Sequence, residues 1–394
     1  MKRRDDSLTI KMEETGQRVA SGSNGAQGTV DFNLHGLVGI RLLDAEAADV
    51  AAVSRQLGPI RGSLQRAPEI VIRFVDQMDT PALRYAELKR SAFSSEQFFV
   101  LRSKYKAPAR VQLPLDQVGG PCEIVCEHGL PAVPFLIPIV NLTALANGAL
   151  PIHAGAFIYE GAGTLVTGWS KGGKTEALMG FMARGATYIA DEWTYLHDGG
   201  RQMSGIPEPI RVWDWHLREM PSYRSRLRRR ERLRLATLGT LMRALDWATP
   251  HGNGGGPLPM LHRVKPLLKK QQGANIPPQR FFGEQRCASS AAVDRLFFVV
   301  SSESPEIEVA PIDPLEVAER MVFSLQEEQR QFLSLYRQFR FAFPDAANEL
   351  IESSPHLQAR RLQEMLAGKE AYVVTHPYPV PIKEMVTAME RVIT

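Results

Sequence analysis

Cysteine is scarce: Cys122, Cys126 and Cys287 are the only three in 394 residues. So few thiols in so long a chain exclude a disulfide framework and point to a reducing cytosol. The spacing of Cys122, Cys126 and His128 lacks a second ligand pair, and Cys122, Ile124 and Cys126 alternate along one strand face, so buried thiols are expected rather than metal. Aromatic residues make up only 8%. Few of them interleave the basic stretches, which argues against a single-stranded nucleic-acid surface. Uninterrupted apolar runs are also missing. The segment 129–159 carries almost no charge, yet Pro131, Pro134, Pro138, Asn141, Asn147 and Pro151 break it below the length of a membrane span. A buried helix around Phe135–Asn147, followed by a strand, is the better expectation. The N-terminus has basic residues but no apolar core after them, so no secretory signal is read there. A large charge imbalance is absent as well: 47 basic against 43 acidic residues leave a net charge of +4.

What remains is ordinary globular composition, 44% hydrophobic and 23% charged, enough to bury a sizeable core. Residues 1–28 are polar and read as a disordered tail. Residues 29–128 alternate short strand-like runs with turns: Val38–Leu43, Glu69–Phe74, Phe98–Leu101, Arg110–Leu113 and Glu123–Cys126, with a helix over Ala45–Gln56. This predicts a compact α+β N-terminal domain of unknown role. From 129 to 394 the texture becomes that of a second, α/β domain. It carries a basic, Gly-rich insertion at about 217–275, which includes a flexible loop at Pro250–Pro259. Helices are expected over Leu315–Phe341, Ser354–Ala367 and Ile382–Val392.

The chemistry concentrates in one place. Gly168, Trp169, Ser170, Lys171, Gly172, Gly173, Lys174 and Thr175 satisfy G-x-x-x-x-G-K-[ST] at every fixed position. Glycines let the backbone turn its N–H groups inward onto phosphate oxygens, and the following helix adds its positive end. Lys174 is placed to reach the outer phosphates, and the Thr175 hydroxyl to ligate Mg²⁺. The context suits the motif: an apolar strand, Thr164–Thr167, enters the loop and a helix over Lys174–Arg184 leaves it. The next strand, Thr187–Ala190, delivers Asp191 and Glu192 at its C-terminal end, where ligands of open α/β sheets bind. An acid there holds a metal or takes a proton from an attacking hydroxyl.

The stretch from His153 to Trp193, HAGAFIYEGAGTLVTGWSKGGKTEALMGFMARGATYIADEW, resembles the C-terminal catalytic domain of the HPr kinase/phosphorylase family. The shared features fall on His153, Gly168–Thr175, Glu176, Arg184-Gly185 and Asp191-Glu192. The resemblance implies an α/β, phosphoenolpyruvate-carboxykinase-like P-loop fold with a mixed sheet, preceded here by the smaller α+β domain. It also implies an ATP- and Mg²⁺-dependent phosphotransferase. The roles it carries over are Asp191 as base toward a hydroxyl, His153 beside it, and Lys174 on the phosphates. Gly168–Thr175 with Glu176 would bind the nucleotide, and Thr175, Asp191 and Glu192 would hold the metal. The chain departs from the family at Glu192, where aspartate is usual. It also lacks the glutamate-arginine-glycine signature beyond the phosphate loop. The expected acceptor is therefore another protein or peptide serine, or a small hydroxyl compound, rather than HPr. The family's habit of assembly makes a homo-oligomer an expectation.

Two other functions remain open. A nucleotide-binding regulatory module would bind ATP without transfer. A nucleic-acid-associated NTPase would use the arginines of Arg224–Arg234, which, with Leu227 to Leu245, suggest an amphipathic helix with a basic face.

Overall fold

The structure is a computed structural model that describes residues 29–80, 82–102, 108–248 and 272–393, with the backbone alone for 243–248. The expected tail, 1–28, the loop at Pro250–Pro259 and much of the predicted insertion lie outside the described residues.

The chain builds two large mixed sheets. The first contains β1 (Val30–Leu34), β2 (Val38–Leu43), β3 (Ile70–Val75), β4 (Arg84–Glu87), β5 (Ser91–Phe93), β6 (Phe98–Arg102), β7 (Pro108–Gln112) and β8 (Cys122–Glu127), in the order β1-β2-β3-β8-β7-β6-β5-β4. Helix α1 (Ala47–Leu57) crosses over between β2 and β3, which pair in parallel, as a crossover helix allows. Alternation along β3 and β8 turns Ile70, Ile72, Phe74, Cys122, Ile124 and Cys126 to the core. Burial pushes the Cys122 thiol up to about 12 and that of Cys126 higher still, so both act as small apolar side chains. Helix α2 (Leu136–Ala146) is the uncharged segment of the sequence, and its Leu136, Ile139, Val140 and Leu142 pack into the same core. Among the described residues no helix is long and apolar enough to cross a membrane.

The second sheet starts with a hairpin, β9 (Leu150–Tyr159) and β10 (Ala162–Gly168). Its turn residues Glu160 and Gly161 both have positive φ, 51° and 81°, which suits the twist of a two-residue hairpin. Then come α3 (Lys174–Ala183), β11 (Thr187–Ala190), β12 (Trp193–His197) and β13 (Gln202–Gly205). Next are β14 (Ile210–Trp213), α4 (Asp214–Glu219), α5 (Arg229–Ala248), β15 (Gly273–Ile276), α6 (Pro278–Phe282) and β16 (Ser290–Ala292). The chain closes with β17 (Arg295–Ser302), β18 (Glu308–Pro311), α7 (Pro314–Ala342), α8 (Glu349–Leu366), β19 (Glu370–Pro377) and α9 (Ile382–Glu390). The order is β16-β13-β12-β9-β10-β17-β19-β18, with β11 also paired to β9. Among the described residues, β10–β17 and β17–β19 are the parallel strand pairs of this sheet, so it is mixed as expected. Strands β14 and β15 pair with each other and bracket the basic segment.

Two helices fix the frame of the second sheet. Helix α7 starts at Asp313, whose carboxylate accepts from the Leu315 amide at 2.9 Å, with Pro314 in the first turn. It buries Val317, Ala318, Met321 and Leu325 against the second sheet, then Phe332, Leu335, Tyr336 and Phe339 in the core of the first. One helix thus ties both sheets together. Helix α3 lies on the other face of the second sheet, with the Phe181 ring stacked on Phe157 at 4.7 Å. It meets α9 at Gly180, where an added Cβ would stand 2.3 Å from Val386 Cγ2. Gly180→Val should therefore cost about 1–3 kcal/mol through overpacking. Val386→Ala in the same chain should recover part of that loss. Denaturant melts of the single and double variants check this, and a Gly180→Val midpoint equal to that of wild type would contradict the close packing.

Candidate functional site

Strand β10 ends at Gly168, beside Val299 of β17, and the chain turns through Trp169–Gly173 into α3. Positive φ at Gly168, Lys171 and Gly173 (150°, 64° and 103°) produces a turn in which successive amides converge. Side chains are barred where the loop is tightest. A Cβ on Gly168 would stand 2.4 Å from the Val299 carbonyl oxygen, and one on Gly173 would stand 2.6 Å from His376 Nε2. The buried His376 ring supports the loop from below, its Nε2 lying 2.7 Å from the Gly172 carbonyl oxygen. Helix α3 begins at Gly173 with no side-chain cap, so its first-turn amides and positive end face the loop.

Trp169, Ser170 and Lys171 are exposed, whereas Gly172, Gly173 and Lys174 are buried. The Lys174 ammonium donates to the carbonyls of Gly168 at 3.1 Å and Trp169 at 2.9 Å. Burial pulls its pKa below the usual lysine value, against Glu192, Glu328, Asp191 and Glu176, which pull it up.

Asp191 stands just past β11 and is only 3% exposed. Its Oδ1 is buried without a hydrogen-bond partner. Burial first, then the Glu192 charge, raises its pKa to about 7, while the Thr175 hydroxyl opposes the rise. A buried carboxyl near neutrality with an unused oxygen is uncommon in a finished core. It suits a group that meets a cation or moves a proton.

His153, on β9, has both ring nitrogens engaged. Nε2 lies 3.0 Å from Glu192 Oε2, and Nδ1 lies 2.9 Å from Glu328 Oε1. The Trp193 ring stacks on it at 5.8 Å. Burial lowers the His153 pKa, but the two carboxylates outweigh it and raise the value to about 9. At neutral pH the ring is an imidazolium with no lone pair to offer. Glu176 points elsewhere: its Oε1 lies 3.0 Å from His216 Nε2 on α4. The Trp213 amide donates to His216 Nδ1, which makes Nε2–H the donor to Glu176. Burial raises the Glu176 pKa, but His216 outweighs it and holds the carboxylate charged.

The structure thus gathers Lys174, Thr175, Asp191, Glu192 and His153 around one loop, and turns Glu176 toward α4. Sequence reasoning missed Glu328, His216 and His376. Glu328 did leave a signal. It stands in the helical series Met321, Leu325, Glu328, Phe332, where an apolar residue is expected. The two histidines left none, because their partners lie far off in the chain.

The alternative metal spacing at Cys122, Cys126 and His128 is not assembled. His128 Nδ1 instead meets the buried Asp49 at 2.6 Å, and Asp49 also accepts from the amides of Glu46 and Gly129. The arginines at 224, 226, 228, 229, 230 and 232 are all exposed along and just before α5.

No family model matches the chain, and no curated protein matches it. Among solved structures, the Hpr(Ser) kinase/phosphatase from Coxiella burnetii is similar at 11% identity, over 61% of this chain and 96% of that one, with a TM-score of 0.23.

The His153 pair makes a stability prediction. A histidine pKa raised from 6.5 to about 9 in the folded state gives stability that is fully present below pH 6.5. That stability shrinks as the pH rises and is gone above about 9. Melting temperatures of wild type should fall across this window more than those of His153→Gln; parallel pH profiles would contradict the charged pair.

Proposed function

We propose that the chain is an ATP- and Mg²⁺-dependent phosphotransferase with a phosphoenolpyruvate-carboxykinase-like P-loop domain. It moves the γ-phosphoryl group to a hydroxyl acceptor: a protein or peptide serine, or a small molecule. The observation that carries this is the unpartnered, buried Asp191 Oδ1 beside an uncapped helix and a buried lysine. These features suit a ligand with both anionic oxygens and a cation.

The loop amides and the positive end of α3 hold the phosphates, and Lys174 stabilises charge on the group in transit. Thr175, Asp191 and Glu192 would hold Mg²⁺. When bound, that ion supplies charge neutralisation at the outer phosphates. Asp191 takes the proton of the acceptor hydroxyl as the acceptor oxygen bonds to the γ-phosphorus and the bond to the ADP oxygen breaks. His153, fixed between Glu192 and Glu328, holds those carboxylates in place and adds a positive charge beside the reacting group. The exposed arginines before and along α5 support an acidic acceptor.

With γ-labelled ATP and a panel of hydroxyl acceptors, Lys174→Ala and Asp191→Asn should each lower transfer by about a hundredfold or more, in line with loss of an electrostatic stabiliser or a general base. Full labelling by both folded variants would reject the assignment.

The pH profile of kcat/KM gives a second check. It should rise through about pH 7, as Asp191 loses its proton, and fall through about 9, as His153 loses its own. An alkaline limb unchanged in His153→Gln would remove His153 from the mechanism.

A further inference from the structure

Arg320, Ser324 and Glu328 recur at four-residue spacing along α7 and so share one face of the helix. The Glu328 end of this row meets His153. The Arg320 and Ser324 end lines a cavity of about 420 Å³, whose other walls include Trp169, Phe298 and Ser301. That volume falls within the range of small-molecule sites, roughly 300–1,000 Å³. The cavity shares its wall with the loop backbone from Trp169 to Gly172, so a group lodged there adjoins anything held by the loop amides.

Two planar groups stand at this cavity. Trp169 is 51% exposed, on the outer arm of the loop with Ser170 and Lys171, while Gly172, Gly173 and Lys174 are buried. The Arg320 guanidinium lies over the Phe298 ring, 5.6 Å from its centre. An indole and a guanidinium both offer flat faces to a planar heterocycle. Position gives the direction of the ligand. Strand β10 carries the loop between β9 and β17. On the β9 side stand His153, Asp191 and Glu192; on the β17 side, the residues Phe298–Ser301 line the cavity.

We propose that this cavity takes the aromatic base of the nucleotide, stacked at Trp169 and Arg320, while the phosphate chain runs across the loop toward Asp191. This rests on the phosphate-loop function proposed above. Stacking uses the flat face that every base has, so ATP and GTP bind comparably. Ser170, Ser301 and Ser324 supply the hydroxyls at the cavity wall.

The test is calorimetry with magnesium and either ATP or inorganic tripolyphosphate, which has the phosphates without the base. Wild type, Trp169→Ala, Trp169→Phe and Arg320→Ala are compared, each checked for folding by thermal melt. Wild type should bind ATP more tightly than tripolyphosphate. Trp169→Ala and Arg320→Ala should each weaken ATP about tenfold, as loss of a stacking partner does, and leave tripolyphosphate unchanged. Trp169→Phe should keep most of the ATP affinity, and quenching of the indole by ATP in wild type should be smaller in that variant. Equal binding of ATP and tripolyphosphate by wild type, or equal losses for both ligands in the variants, would overturn the base site and leave the phosphate loop standing. Absence of binding by either ligand would overturn both.

Discussion

Two ionisable groups, the Lys174 ammonium at the start of α3 and the Asp191 carboxyl just past β11, are kept out of water beside one sheet. Burying a charge costs several kcal/mol unless partners replace its water. The surrounding structure follows from that constraint. Lys174 leans on two loop carbonyls, and Asp191 rises toward neutrality while leaving one oxygen unused. The glycines of the loop exist for the same reason, since a side chain at Gly168 or Gly173 would push the backbone off β17 and His376. The arrangement is poorly satisfied by itself and well suited to a polyphosphate with its cation.

Helix α7 gives this centre its far wall. Its apolar residues bind the two sheets together, while Arg320, Ser324 and Glu328 face the site. At 29 residues it spans about 43 Å, long enough to reach from the edge of the loop to the core of the first sheet. A rigid helix that passes the site and ends in the other core couples the placement of Glu328 to the packing of Phe332 and Phe339. The first sheet thereby helps to position the acid that orients His153.

Local features were legible in the sequence, and long-range ones were not. The strand entering Gly168, the helix starting at Lys174 and the strand ending before Asp191 are contiguous, and each has its own periodicity and punctuation. The helix near Phe135 was readable because prolines broke the apolar run. Short strands such as β4, β5 and β16 escaped, since three or four residues carry too little alternation to register. The pairing of His216 with Glu176, of His376 with the loop and of Glu328 with His153 depends on sheet order, which no window of sequence contains. Glu328 alone left a trace, as a charge inside an apolar helical row.

In the proposed function the loop and Asp191 together receive a magnesium-bound triphosphate. Titration calorimetry with a non-hydrolysable ATP analogue at pH 7, run in buffers of different ionisation enthalpy, tests it most directly. Magnesium-dependent binding at micromolar to millimolar concentration is expected. Binding should also release protons, because a cation drives the half-protonated Asp191 to its carboxylate, and Asp191→Asn should abolish the release. A folded protein with no magnesium-dependent affinity for any purine triphosphate would contradict the account.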